Sequence, residues 1–284
     1  MLTSTDRSVN KRMCDMPVVQ TRVGPIAYDD HGSGAVVVLL HATLHDRHDF
    51  GTIAPKLASR HRVIAIDWPA HGESPDLAPS LAPGAALFAD VLQDLVEALD
   101  LPPAVFVGNS VGGFCAARLA ITHPHRVAGL VLVNGSGFLS SAVTRTYCRV
   151  LGTPAVMRPL LPRLARSYMR AASANDRAIL DRVLARADTD EGVKTVTAVW
   201  RSFAAPEHNL LARADRITAP TLIVWGSKDT AIPLRYGRAT HRAIPGSRLE
   251  LLPTGHLPFS SDPAGFLTIV DPFLAAVLST RSPK

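Results

Sequence analysis

Val105-Phe106-Val107-Gly108-Asn109-Ser110-Val111-Gly112-Gly113 is the stretch whose residue types could do covalent chemistry. The apolar run predicts a short buried strand, and Phe114 to Ala120 predicts a helix. Ser110 therefore falls at the corner, inside a G-x-S-x-G pattern flanked by strand and helix. Gly108 and Gly112 remove Cβ atoms from a turn tight enough to crowd its neighbours, and Gly113 lets the helix approach the strands. Such a turn lifts the Ser110 Oγ clear of the sheet. It also aims the Val111 N–H at the same space, at a helix start where negative charge is favoured. A chemically silent glycine-rich turn shares the bare pattern; the flanking strand and helix favour the nucleophile.

A serine hydroxyl needs a base, usually histidine, and the base needs an orienting carboxylate. Asp229 lies four residues after Trp225, just beyond an apolar run, in a Gly-Ser-Lys-Asp loop. It is the candidate acid; the alternative is a turn residue capping the next helix. Asp215 and Asp262 read as helix-end or surface residues. His256 follows the run Leu249 to Leu252 in a Pro-Thr-Gly-His loop and is the candidate base; the alternative is a loop histidine in solvent. His123, His125 and His241 fall in or at helical patterns, and His71 reads as a loop support. His41, His45 and His48 have a spacing that could suggest a metal, but no carboxylate or cysteine completes a set. No metal and no cofactor are expected.

The elements that must position these residues alternate. Val18 to Val23 and Ile26 to Asp30 predict two strands with Gly24-Pro25 between them. Val36 to Leu40, Val63 to Ile66, Val127 to Val133, Thr221 to Trp225 and Leu249 to Leu252 predict further strands, several of them continuous apolar runs of the kind buried on both faces. Helices are predicted over Phe50 to Ala58, Pro83 to Leu99, Leu234 to Ala243 and Phe266 to Leu278. Strand–helix alternation implies an α/β fold with a mostly parallel sheet. Residues 138–206 interrupt it with helical patterns only, cut into short pieces by Pro154, Pro159 and Pro162. They are expected to form a helical cap inserted in a core of residues 17–137 and 207–284, with residues 1–16 as a mobile tail.

The 284 residues are 47% hydrophobic, enough for one large domain with an insertion. Three cysteines, Cys14, Cys115 and Cys148, lack a framework spacing and point to a reducing, cytoplasmic setting. No stretch suits a membrane span or a secretory signal. The net charge of +6 arises wholly within residues 138–206, which hold eleven basic and five acidic residues, while the rest of the chain balances. No aromatic interleaving accompanies the arginines, so a nucleic-acid partner is not expected and a solvated face is. Leu160, Leu161, Leu164 and Tyr168 fall on one helical side, Arg163, Arg166 and Arg170 on another. This pattern predicts an apolar roof over a small-molecule site. Oligomeric state is not encoded in any visible pattern.

Five motifs together resemble the α/β-hydrolase superfamily from about Val18 to Leu278: His41-Ala42-Thr43-Leu44; Asp67-Trp68-Pro69-Ala70-His71-Gly72-Glu73-Ser74; the Ser110 elbow; Trp225-Gly226-Ser227-Lys228-Asp229; and Gly255-His256-Leu257-Pro258. The resemblance implies an eight-stranded sheet, a cap, and a triad in the order Ser110, Asp229, His256. Some relatives carry the acid directly after the strand ending at Val133; Asn134-Gly135-Ser136 offers none there. The resemblance also implies an oxyanion hole of the Val111 and Thr43 N–H groups, with Leu44, His41 and Leu257 as substrate contacts. Two positions depart from the family: Ala42 where glycine is usual, and Ser261 where glutamate is common. A serine at the elbow disfavours the haloalkane dehalogenase and epoxide hydrolase branches. The Gly-Asn-Ser elbow is similar to that of C–C hydrolases of ring-cleavage products, but those usually have a glycine-rich oxyanion loop and a tryptophan after the histidine. The expected activity is hydrolysis of an ester, thioester or lactone with an apolar acyl part. C–C bond hydrolysis, a non-hydrolytic triad reaction and a ligand receptor are the alternatives.

Overall fold

Apolar runs without alternation become strands covered on both faces. The computed structural model describes residues 17–138 and 141–279. Its strands are β1 (Val18–Thr21), β2 (Gly24–His31), β3 (Val36–Leu40), β4 (Arg62–Ile66), β5 (Ala104–Asn109), β6 (Val127–Val133), β7 (Thr221–Gly226) and β8 (Arg248–Leu252). They form one sheet in the order β1-β2-β4-β3-β5-β6-β7-β8. The β1–β2 and β2–β4 pairs are antiparallel. From β4 through β3 to β8 every pair is parallel.

The helices are α1 (Ala54–Ala58), α2 (Ala85–Ala98), α3 (Val111–Thr122), α4 (Ala142–Leu151), α5 (Pro154–Met169), α6 (Ala174–Ala187), α7 (Asp190–Ser202), α8 (Leu234–Ala243), α9 (Pro258–Ser261) and α10 (Pro263–Ser279). Side chains of β3 divide between two apolar layers. Val36, Val38 and Leu40 join Phe88 and Leu92 of α2 and Phe114 of α3 on one face. Val37 and Leu39 join Phe266, Val270 and Leu274 of α10 on the other. Period-2 alternation is thus hidden in an all-apolar strand because both faces are buried.

Several local expectations are corrected. The turn between β1 and β2 is Arg22-Val23, and Gly24, at φ 111°, opens β2 instead of bridging the strands. The stretch expected as a helix from Phe50 splits into a 3-10 turn, Arg47–Phe50, and the short α1. Pro159 and Pro162 do not cut the inserted segment: α5 runs through both. The carbonyls that their missing N–H groups leave free belong to Ala155 and Arg158, which are exposed and can be hydrated. Leu160 is 38% exposed and so is not part of the buried side of α5. Arg163, Arg166 and Arg170 are exposed, and Arg158 pairs with the exposed Asp190.

Helices α4 to α7 occupy the chain between β6 and β7 and lie over the carboxyl ends of the strands, where α4, α5 and α7 line a cavity with Ser110. Two arginines of α6 turn inward, contrary to a wholly solvated arginine face. Arg182 pairs with Asp46 and Asp49, and Arg186 donates to the Ala70 carbonyl. Residues 1–16, with the expected tail and Cys14, lie outside the described residues. Among those described, no helix is long and apolar enough to cross a membrane.

Candidate active site

Ser110 is the hinge between β5 and α3, with φ 55° and ψ −115°. That backbone is costly for a non-glycine residue and persists only where the surroundings over-determine it. Ser110 N–H donates to the Val133 carbonyl at 3.0 Å, and Ser136 N–H donates to the Ser110 carbonyl at 3.2 Å. A Cβ on Gly108 would meet the Gly112 carbonyl oxygen at 2.4 Å, and one on Gly112 would meet that of Leu40 at 2.4 Å. Both glycines are thus required by close approach, as the sequence suggested.

Asp229 and His256 come from the loops after β7 and β8. These loops are stitched together by Ser227 N–H to the Leu252 carbonyl (2.8 Å) and Lys228 N–H to the Thr254 carbonyl (2.9 Å). His256 Nδ1 stands 2.6 Å from Asp229 Oδ2. Asp229 Oδ1 accepts from the N–H groups of Ala231 (2.8 Å) and Ile232 (3.1 Å). Asp229 thus serves its own turn with one oxygen and meets His256 with the other, but it does not cap the next helix, whose N-cap is Pro233. With Nδ1 donating to the carboxylate, Nε2 of His256 is left as the acceptor. Ser110 and His256 line the same cavity, and all three residues are under 10% exposed.

Asn134 holds this arrangement, a role that sequence reasoning missed. It sits at φ 45° at the end of β6, donates from Nδ2 to Asp229 Oδ2 at 2.5 Å, and accepts the Gly226 N–H at 3.0 Å. The position without a carboxylate is a support for the carboxylate of the neighbouring strand. Asn109 ties the elbow to the histidine loop, donating from Nδ2 to the carbonyls of Val133 (3.0 Å) and His256 (3.1 Å). The inserted helices reach the site too. His256 N–H donates to the Tyr168 carbonyl at 2.9 Å, and a Cβ on Gly255 would lie 2.4 Å from that oxygen.

Thr43 and Leu44 line the cavity, and Val111 opens α3 directly after Ser110. Ala42 has no positive φ; the left-handed residue of this loop is Leu44, at φ 69°. Alanine therefore fits where the family favours glycine. His41 and Leu257 do not line the cavity, which corrects their expected role as substrate contacts. Leu257 is fully buried in the apolar layer with Phe259 and Phe266. His41 is fully buried behind the wall, where Nε2 accepts the Trp68 N–H at 3.0 Å and Nδ1 donates to the Ala42 carbonyl at 2.7 Å. His71 Nδ1 donates to the Pro69 carbonyl at 2.9 Å. Among the described residues no group of three or more His, Cys, Asp or Glu is disposed to hold a metal.

The cavity, about 1250 Å³ including its open mouth, is lined by Leu44, Leu161, Leu164, Trp200, Phe203 and Ile232, with Tyr147, Tyr168, Tyr236 and Arg145 among its polar edges. Its roof is thus mainly apolar but not free of arginine.

Three histidines, the buried His41 and His71 and the partly buried His208 at the cavity wall, make the fold sensitive to acid. Burial lowers the pKa of His41 to about 3 and that of His208, enclosed between Phe114 and Phe203, to about 3; it takes His71 well below the ordinary value. The unfolded chain binds these protons near pH 6.5 and the folded chain does not, so folding is weakened as pH falls below about 6.5. Each ring costs about 1.4 kcal/mol per pH unit in that range. Tm should therefore drop by several degrees between pH 7.5 and 5.5, and His208→Phe should make the drop smaller. A Tm independent of pH over this window contradicts the assignment.

A sequence model described as the alpha/beta hydrolase fold matches residues 35–263. A pimeloyl-[acyl-carrier protein] methyl ester esterase of Neisseria meningitidis is 30% identical over 259 residues, 87% of this chain and 78% of that protein. A 2-hydroxy-6-oxononadienedioate/2-hydroxy-6-oxononatrienedioate hydrolase of Cupriavidus pinatubonensis is 30% identical over 238 residues, 78% of this chain and 81% of that protein. The solved structure of a hydrolase from Pseudomonas aeruginosa PA01 superposes with a TM-score of 0.77 at 25% identity, covering 92% of this chain and 98% of that one.

Proposed function

The chain belongs to the α/β-hydrolase fold family, and we propose that it is a serine hydrolase cleaving an ester, thioester or lactone with an apolar acyl part. One observation carries the reading. A serine on a strained elbow and a histidine hydrogen-bonded to a buried aspartate open on one mainly apolar cavity. Ser110 Oγ attacks the acyl carbonyl while His256 Nε2 takes its proton. The N–H groups of Val111 and Thr43 receive the oxyanion. His256 then returns the proton to the departing alcohol or thiol, leaving an acyl-Ser110 ester. Water, deprotonated by His256, attacks that ester, and the acid leaves as Ser110 regains its proton. Asp229 keeps the imidazole in the required tautomer and stabilises the imidazolium.

In the same reading, helices α4 to α7 are a cap whose apolar side shapes the acyl site. The free cysteines Cys115 and Cys148 support a cytoplasmic setting. The test is a chain-length series of p-nitrophenyl acyl esters, run beside a ring-cleavage dienoate. Repeated turnover of the esters with no action on the dienoate supports the proposal. Preference for the dienoate favours the C–C hydrolase alternative, which the Cupriavidus relative makes the reading to compare. A single slow turnover favours a receptor.

The exposed arginines of the cap should contribute little. Replacing Arg163, Arg166 and Arg170 together by glutamine should leave kcat/KM for a neutral ester within a few-fold, because exposed charges are screened by water and salt. A loss of a hundredfold confined to anionic substrates overturns this expectation.

A further inference from the structure

A second chain of titratable side chains, which the triad does not use, reaches the cavity through His45 and Tyr168. His45, 2% exposed, turns Nδ1 to Asp49 Oδ2. Arg182 of α6 donates to Asp49 Oδ1 at 2.8 Å and to Asp46 at 3.0 Å. A carboxylate paired with arginine accepts hydrogen bonds, so Nδ1 of His45 carries the hydrogen, and in that tautomer Nε2 is the acceptor. Tyr168 Oη lies 3.0 Å from Nε2 and donates its proton there. Burial and the nearby carboxylates Asp49 and Asp229 push the Tyr168 pKa upward and so keep that proton on the phenol. The hydrogen-bonding capacity left on the phenol is its oxygen lone pairs. Tyr168 lines the cavity alongside the apolar Leu44, Leu161, Leu164 and Trp200, with Thr43, His45 and Thr230 among the polar lining. The Tyr168 ring meets the His256 ring edge to face, with centroids 5.4 Å apart, so the tyrosine stands beside the candidate base.

We propose that Tyr168, oriented by His45 and Asp49, is a specificity-determining acceptor that selects substrates carrying a hydroxyl or N–H donor on an otherwise apolar body. Anchoring the cap to the core explains Arg182. It does not explain a phenol whose proton is committed to a buried His–Asp pair within the substrate cavity. A ligand donor at the right distance gains a hydrogen bond shielded from water, an effect of about tenfold or more in affinity. The inference deepens the esterase reading and rests on it for the substrate class.

The test is calorimetric binding to Ser110→Ala protein, which holds esters without cleaving them. The probes are methyl octanoate, methyl octanoates with one hydroxyl walked along the acyl carbons, and octanoates of hydroxyalkyl alcohols. One hydroxyl position should bind about tenfold or more tightly than methyl octanoate. Within the Ser110→Ala/Tyr168→Phe protein the same ratio should fall to about one; a ratio taken within one variant cancels any general weakening. In Ser110→Ala/His45→Phe the phenol proton has lost its acceptor, and selectivity should widen to matched oxo-esters. The inference is overturned if no hydroxylated ester binds more tightly than methyl octanoate, or if the preference survives Tyr168→Phe. Turnover of methyl octanoate by the wild-type protein tests the esterase reading separately, since binding selectivity and cleavage are read in different proteins.

Discussion

Ser110→Ala should lower kcat for a p-nitrophenyl ester by about four to six orders of magnitude, with little change in KM or Tm. The reaction proposed for this site passes through a bond to Oγ, so the variant retains only what the oxyanion donors and substrate binding supply. The small structural effect follows from the packing. Ser110 is 8% exposed, and its backbone hydrogen bonds to Val133, Ser136 and Phe114 do not involve the hydroxyl. Alanine must still adopt φ 55°, but serine already bears that strain. A fluorophosphonate should label Ser110 and abolish activity, because its phosphoryl oxygen occupies the place of the oxyanion. Peptide mapping decides the matter: label on another serine, or an Ser110→Ala protein with wild-type turnover, removes Ser110 from the mechanism.

Asp229→Asn should lower kcat by about four orders of magnitude while the protein stays folded. The size follows from the hydrogen bonds around the carboxylate. Oδ1 accepts from the N–H groups of Ala231 and Ile232, and Oδ2 receives Asn134 Nδ2 and His256 Nδ1. Four donors thus converge on two acceptor atoms. Asparagine has one acceptor oxygen, and two backbone N–H groups fix where it goes. Its NH2 must then face His256, where it favours an acceptor at Nδ1 and puts the hydrogen on Nε2. A histidine with hydrogen on Nε2 cannot take the proton of Ser110. The same NH2 opposes the Asn134 amide, so a rotation of Asn134 and a modest fall in Tm should accompany the loss of activity. Wild-type rates in Asp229→Asn would require the acid to be found elsewhere.

The sequence alone determined what depends on neighbours a few residues away. Ser110, Gly108 and Gly112 were legible because a strained turn between strand and helix needs particular residues at fixed offsets. The central strands β3 to β7 were legible because strands covered on both faces must be nearly continuously apolar, whereas the partly exposed outer strands were marked less sharply, as at Gly24. Asp229 and His256 were legible as a carboxylate and an imidazole in the short loops that leave β7 and β8.

The tertiary structure decided whatever depends on docking between distant segments. Asn134 holds Asp229 across 95 positions of sequence, and asparagine at a strand end carries no local mark of that task. Tyr168 reaches His45 across 123 positions, and Arg182 reaches Asp49 across 133. On a helical wheel Tyr168 is one more member of an apolar side, and Arg182 one more solvated cation. Helical period assigns a side chain to a face but not to a neighbour. Only the seating of α5 and α6 on the loop after β3 makes the tyrosine part of the cavity and turns the arginine inward. His41 shows the same limit from the other side. Its motif marks it as near the site, yet its ring is spent on Trp68 and Ala42 behind the wall, because a fully buried imidazole must satisfy its nitrogens locally.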